Sequence, residues 1–166
     1  AEAGARVAVL DAEAERADAV AAEAEALGAK AASICADVTR SAEAERGVAR
    51  ARSELGGLDI VVNIVGASSW VPLLDLDEAT WERDFSVNLK HHWYVARSAA
   101  RLWIEAGEPG VLCVVGSVSG AFSAANHASY GAAKAGFSRD AAKVQQRHLP
   151  GLWRTAIEPV NVAAGS

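Results

Sequence analysis

Short apolar runs alternate along this chain with longer stretches in which apolar residues recur every three or four positions. The runs read as strands and the longer stretches as helices. "RVAVL" (6–10) is the first strand, followed by a helix over 12–27 that Gly28 stops. "AASICA" (31–36) is the second strand, and 41–55 is a helix that starts at a Ser41 cap and ends at Gly56-Gly57. "LDIVVNIV" (58–65) is almost wholly apolar, as a strand covered on both faces should be. A helix follows from a Thr80 cap to about Ala106, then a strand over 110–117, a helix over 129–148 and a weaker strand over 155–164. This alternation predicts an α/β fold: a doubly wound parallel sheet with helices on both faces, in a single domain over 1–166.

In such sheets ligands bind at the carboxyl ends of the strands. Asp11, Asp37, the pair Asn63 and Gly66, and Ser117 follow four successive strands. One at a time, Asp and Ser often do no more than end strands and cap helices. Their recurrence on one rim favours a groove of nucleotide size. Further along, "ASYGAAKAGF" places Tyr130 and Lys134 four positions apart, on one helix face. An ammonium beside a phenol favours the ionised phenol, which makes it a usable proton carrier. The small residues around the pair leave room for a ligand. Such a pair alone arises by chance, but Ser117 leaves a buried strand thirteen positions upstream, and the loop between can bring its hydroxyl beside the phenol.

Composition narrows the classes. Apolar residues make up 51% of the chain and charged ones 22%, the balance of a soluble globular protein. The net charge of −5, with no basic cluster, argues against a nucleic-acid or anionic-membrane surface. The apolar runs are too short to span a bilayer and no signal peptide is visible, so a cytoplasmic location is expected. Cys35 and Cys113 lie in strand-like runs and read as small buried hydrophobes more than as a disulfide. His91 and His92 are adjacent and point in different directions, while His127 and His148 stand alone, so no metal site is expected. "VGSVSG" is no nucleophile elbow, because Val118 stands midway between Gly116 and Gly120.

"VVGSVSG", "YGAAK" and "FSVNLK", in the company of "ARVAVLDA", "ADVT" and "LDIVVNIVG", resemble the short-chain dehydrogenase/reductase family over nearly the whole chain. The resemblance implies a Rossmann-like fold and a catalytic tetrad of Asn88, Ser117, Tyr130 and Lys134. It implies an NAD-dependent oxidoreductase that interconverts a secondary alcohol and a ketone by hydride transfer. Tyr130 then exchanges the hydroxyl proton, Lys134 supports it and binds the nicotinamide ribose, Ser117 holds the substrate oxygen, and Asn88 holds a water. Asp11 stands where the family tells its two cofactors apart; a carboxylate there accepts from ribose hydroxyls and repels a 2′-phosphate, which favours NAD. Asp37 and Val38 resemble the adenine-pocket pair, and Asn63 and Gly66 the residues lining the inner ribose. Ser68, Ser69, Trp70 and the loop 119–127, with Ser119, are expected to line the substrate pocket, although Trp70 reads equally well as a packing aromatic. The partners implied are a small alcohol or carbonyl substrate and further copies of the chain, as a dimer or tetramer.

The chain also departs from the family. No glycine-rich turn follows "RVAVL", which therefore corresponds to the family's second strand. The expectation is a sheet lacking its first strand, with roughly twenty or more residues, the size of a strand–turn–helix, lying upstream. Two edges rich in Val and Ile would otherwise be bare. "NIVG" replaces the usual Asn-Asn-Ala-Gly, Ala164 stands where proline is expected, and 138–153 is polar and irregular, with Asp140, Gln145 and Gln146. The rival to an enzyme is a non-catalytic member of the family, a fragment or pseudoenzyme that serves as a binding or oligomerisation module.

Overall fold

The structure is a computed structural model that describes residues 1–122, 124–136 and the backbone of 153–158. It falls into two compact units, Ala1–Asp59 with Tyr94–Glu108, and Ile60–Trp93 with Pro109–Ser166.

In the first unit, strands β1 (Val7–Asp11) and β2 (Ala31–Cys35) pair in parallel, Val7 opposite Ala31 and Asp11 opposite Cys35. Helices α1 (Ala14–Ala26) and α2 (Ser41–Leu55) follow them. Ile34, Ala36 and Ala51 form the core, with Ala8 and Leu10 packed against it. Alternate β2 residues, Ala32 and Ile34, face that core, so Cys35 points the other way and is exposed. The expectation of a buried Cys35 is corrected by this pleat. The helix stops fall where glycine predicts them, at Gly28 (φ 85°) and Gly56 (φ 75°). Ser41 is not the cap it was expected to be. The cap position is Arg40, whose side chain makes no capping bond, and Glu43 reaches back to accept from the Asp37 N–H at 2.8 Å. The unit also holds the later part of α4 (His91–Ala106), where the Trp103 indole donates to the Leu58 carbonyl at 2.6 Å.

In the second unit, β3 (Ile60–Asn63), β4 (Gly110–Val115) and β5 (Trp153–Glu158) form a parallel sheet in the order β3-β4-β5. Leu112 and Val114 bury the central strand. β3 differs from expectation: Ile60, Val62 and Ile64 are 61, 60 and 67% exposed rather than covered on both faces. Among the described residues β3 pairs only with β4, and β1 only with β2. Helix α3 (Glu78–Phe85) is capped by Asp77, which accepts from the Thr80 N–H at 2.7 Å, so the cap lies three residues before the expected Thr80. It runs through a π-turn (Ser86–Lys90) into α4. Residues 128–136 form α5, one residue earlier than expected at the start. The remainder of the helix expected over 129–148, with Asp140, Gln145 and Gln146, lies outside the described residues, as do Ala164 and most of the expected 155–164 strand, of which β5 covers the beginning.

Candidate active site

β4 ends two residues before Ser117, which opens a short 3₁₀ turn (Val118–Gly120) and accepts from the Ser119 N–H at 3.2 Å. This turn lies directly on α5. A Cβ on Gly120 would come within 2.9 Å of the Lys134 carbonyl carbon and 3.0 Å of the Ala135 nitrogen, and one on Gly131 within 3.0 Å of the Ser119 oxygen. A Cβ on Gly136 would lie 3.3 Å from the Leu89 side chain. The small residues of "YGAAKAG" therefore admit a neighbouring turn and helix, not only a ligand, as their smallness had suggested. Tyr130 and Lys134 do share one face, with Nζ 5.9 Å from the phenol ring centre. Lys134 is 5% exposed, donates to the Val115 carbonyl at 3.3 Å, and burial holds its pKa below the ordinary lysine value.

Asn88 sits fully buried in the π-turn, a helix defect common at functional sites. Its Oδ1 accepts from the Ala67 N–H at 3.2 Å, and its Nδ2 donates to the carbonyls of Ala67 (2.7 Å) and Asp84 (3.0 Å). The side chain thus fixes the loop after β3 against the helix. Gly66, the residue before, is exposed, and a Cβ on it would lie 3.1 Å from Asn88 Oδ1 and 3.3 Å from Lys134 Nζ. Glycine leaves an opening there, with an amide oxygen and an ammonium at its floor. Asn63, 5% exposed, keeps its Nδ2 without a hydrogen-bond partner among the described residues.

His127 directly precedes α5 and is buried, its ring centre 5.1 Å from that of Tyr130. Its Nδ1 lies 3.3 Å from Ser119 Oγ, and the largely exposed Trp70 packs on it at 3.7 Å. His127 does not stand alone, then, and it links Ser119 and Trp70 to the phenol. Ser119, Phe122, His127, Gly131 and Ala132 are among the residues lining a pocket of about 280 Å³. His91 and His92 are both buried, as packing residues are, and their ring centres lie 3.9 Å apart although the two neighbours were expected to point in different directions. Among the described residues, no group of three metal-ligating side chains exists. Ser68 is exposed, while Ser69 donates to the buried Asp84 at 2.8 Å. Neither spacing nor pattern had pointed to Asp84.

In the first unit, Asp11 closes β1 half-buried and uses one oxygen to accept from the Glu13 N–H at 2.8 Å. Its second oxygen has no partner among the described residues. The Asp37 carboxylate is engaged locally, accepting from the Thr39 N–H (3.0 Å) and hydroxyl (2.6 Å), with Arg40 at 3.4 Å. Val38 beside it is buried.

The family model for the short chain dehydrogenases matches residues 1–159. The chain belongs to that family. Among its relatives, a 3β-hydroxysteroid dehydrogenase of Eggerthella lenta is 34% identical over 134 residues, which is 80% of this chain and 52% of the relative. A cis-4-hydroxycyclohexanecarboxylate dehydrogenase of Sinomonas cyclohexanicum is 38% identical over 82% of the chain and 54% of its own length. The chain thus spans about half the length of these relatives. A solved 7α-hydroxysteroid dehydrogenase, in complex with NADH and 7-oxo glycochenodeoxycholic acid, superimposes with a TM-score of 0.88 at 27% identity, covering 95% of this chain and 61% of that one. The parallel α/β architecture is that of the Rossmann-like short-chain dehydrogenases. Among the described residues no helix is long and apolar enough to cross a membrane.

Proposed function

We propose that the protein is an NAD-dependent oxidoreductase that interconverts a secondary alcohol and a ketone, with Tyr130 as the acid and base. The observation that carries this reading is the opening at Gly66: Lys134 and Asn88 reach it at 3.3 and 3.1 Å, with Tyr130 on the same helix face as Lys134. The gap without a Cβ and the unpartnered Asn63 amide suit a ribose, a group rich in hydroxyls and free of charge. Lys134, Asn63 and Gly66 would hold the nicotinamide end. The adenosine end is assigned to Asp11, Asp37 and Val38 on the family resemblance alone. When bound, the nicotinamide supplies or accepts the hydride.

The remaining chemistry belongs to the chain. Hydride arrival at a carbonyl carbon leaves negative charge on the oxygen. Tyr130 gives that oxygen a proton, and the Ser117 hydroxyl donates a hydrogen bond to it. The Lys134 ammonium, on the same helix face, stabilises the phenolate that remains. In the alcohol-oxidising direction Tyr130 takes the proton back. Trp70, Ser119 and His127 offer a wall with one aromatic face and two polar groups. The relatives named for hydroxysteroid and hydroxycyclohexane substrates support cyclic secondary alcohols and ketones as the substrate class. Trp81 and Trp93, exposed along the helix, support self-association.

The cofactor assignment is tested by Asp11→Arg in the intact protein. The parent is expected to prefer NADH over NADPH in kcat/KM, and the variant to move that preference towards NADPH by about tenfold or more, the effect of replacing a like-charge clash with an ion pair. An unchanged ratio removes Asp11 from the assignment.

A further inference from the structure

We propose that Asp84 is a positioning residue of the active site, holding the helix that carries Tyr130 against the helix that carries Asn88. The inference rests on the reading of Tyr130 as the proton carrier. Asp84 is 0% exposed. Its Oδ2 accepts from the Ser129 hydroxyl at 2.6 Å and its Oδ1 from the Ser69 hydroxyl at 2.8 Å. Its main-chain oxygen accepts from Asn88 Nδ2 at 3.0 Å. One residue therefore joins three segments: the loop carrying Gly66 and Trp70, the α3–π-turn carrying Asn88, and the start of α5, where Ser129 directly precedes Tyr130.

A carboxyl group placed at a fully buried position is costly unless its oxygens are hydrogen-bonded, and an apolar side chain would fill the same space without that cost. Here each oxygen takes a hydroxyl from a different segment, 45 and 15 residues away in sequence. Arg83 lies at 3.8 Å with its side chain 58% exposed, too remote to replace either bond. What the carboxyl group secures is geometry, since both serines are bound in a fixed direction. Proton transfer depends on that geometry: a misplacement of about 1 Å lowers a rate on the order of a hundredfold. Asp84 works through Ser129 and Asn88 rather than on the phenol itself.

The test uses the intact protein, with NADH and a panel of cyclic ketones as probes. Asp84→Ala is expected to lower kcat about 10- to 100-fold while KM for NADH stays within about twofold. Asp84→Asn should recover most of the loss, because serine hydroxyls accept as well as donate and both bonds can be kept without the charge. Ser129→Ala should lower kcat on its own, and the Asp84→Ala/Ser129→Ala pair should be no slower than Asp84→Ala alone. Unchanged turnover in Asp84→Ala, losses that multiply, or no rescue by asparagine overturns the inference. Should Asp84→Ala fail to fold, Ser129→Ala and Asp84→Asn decide between the same outcomes. A parent that reduces none of the ketones defeats the reading of Tyr130, and the clamp is then read without turnover. Amide exchange over 128–136 is expected to accelerate about tenfold in Ser129→Ala, and unchanged exchange overturns the clamp.

Discussion

His91, His92 and Lys134 share one buried neighbourhood, and the consequence is a dependence of stability on pH. Burial, with the Lys134 charge second, lowers the His91 pKa to about 4; burial, with His91 and Lys134 behind it, lowers that of His92 to about 2. Both are neutral in the fold, whereas in the unfolded chain they titrate near the ordinary histidine value. The unfolded state therefore binds more protons as pH falls through about 6.5, so stability that is intact above that value is progressively lost below it. From His91 alone the loss between pH 7.5 and 5 is about 2 kcal/mol. Urea unfolding at the two values should show the lower midpoint at pH 5, and His91→Gln should narrow the difference. An equal midpoint at both contradicts neutral burial. At this scale the sequence was partly legible. The Tyr130–Lys134 spacing and the place of Ser117 after its strand were readable from residue type and position, while Asn88 was singled out only by the resemblance to the family. Asp84 and its serines lie up to 45 positions apart and leave no local pattern, and the burial of His91 and His92 depends on packing that no neighbouring residue announces.

Between elements, the Val118–Gly120 turn leaves no room for a side chain against α5. The atoms that a Gly120 Cβ would meet, at 2.9 and 3.0 Å, are backbone and cannot rotate away. Gly120→Ala is therefore expected to push the turn off α5, at a cost of about 1–3 kcal/mol, and to lower the melting temperature and kcat together. A variant with the parent's melting temperature would show that the approach is looser than the structure has it. Strand and helix order was legible because apolar periodicity records which face is covered. Glycine stops at Gly28 and Gly56 were legible for the same reason of local chemistry. Helix starts were not: Asp77 and Thr80 are both good caps, and only the bond from the Thr80 N–H to Asp77 chooses between them. The π-turn around Asn88 has no sequence pattern of its own, and the bonds that hold Asn88 to Ala67 reach across 21 positions.

For the whole molecule, parallel pairing within each sheet follows from the strand–helix alternation, and the family match over residues 1–159 agrees with it. The apolar run of Ile60 and Val62 looks the same whether or not a neighbour covers it, and only the missing glycine-rich turn pointed to a bare edge there. The chemistry assigned to the protein needs one phenol to carry one proton, and everything else in the site serves its placement. The most direct measurement is the rate of NADH oxidation by the intact Tyr130→Phe protein with a cyclic ketone, beside its NADH affinity by calorimetry. Loss of the general acid predicts a fall in kcat of about 10²- to 10⁴-fold with affinity kept within a few-fold. Turnover at the parent's rate would contradict it.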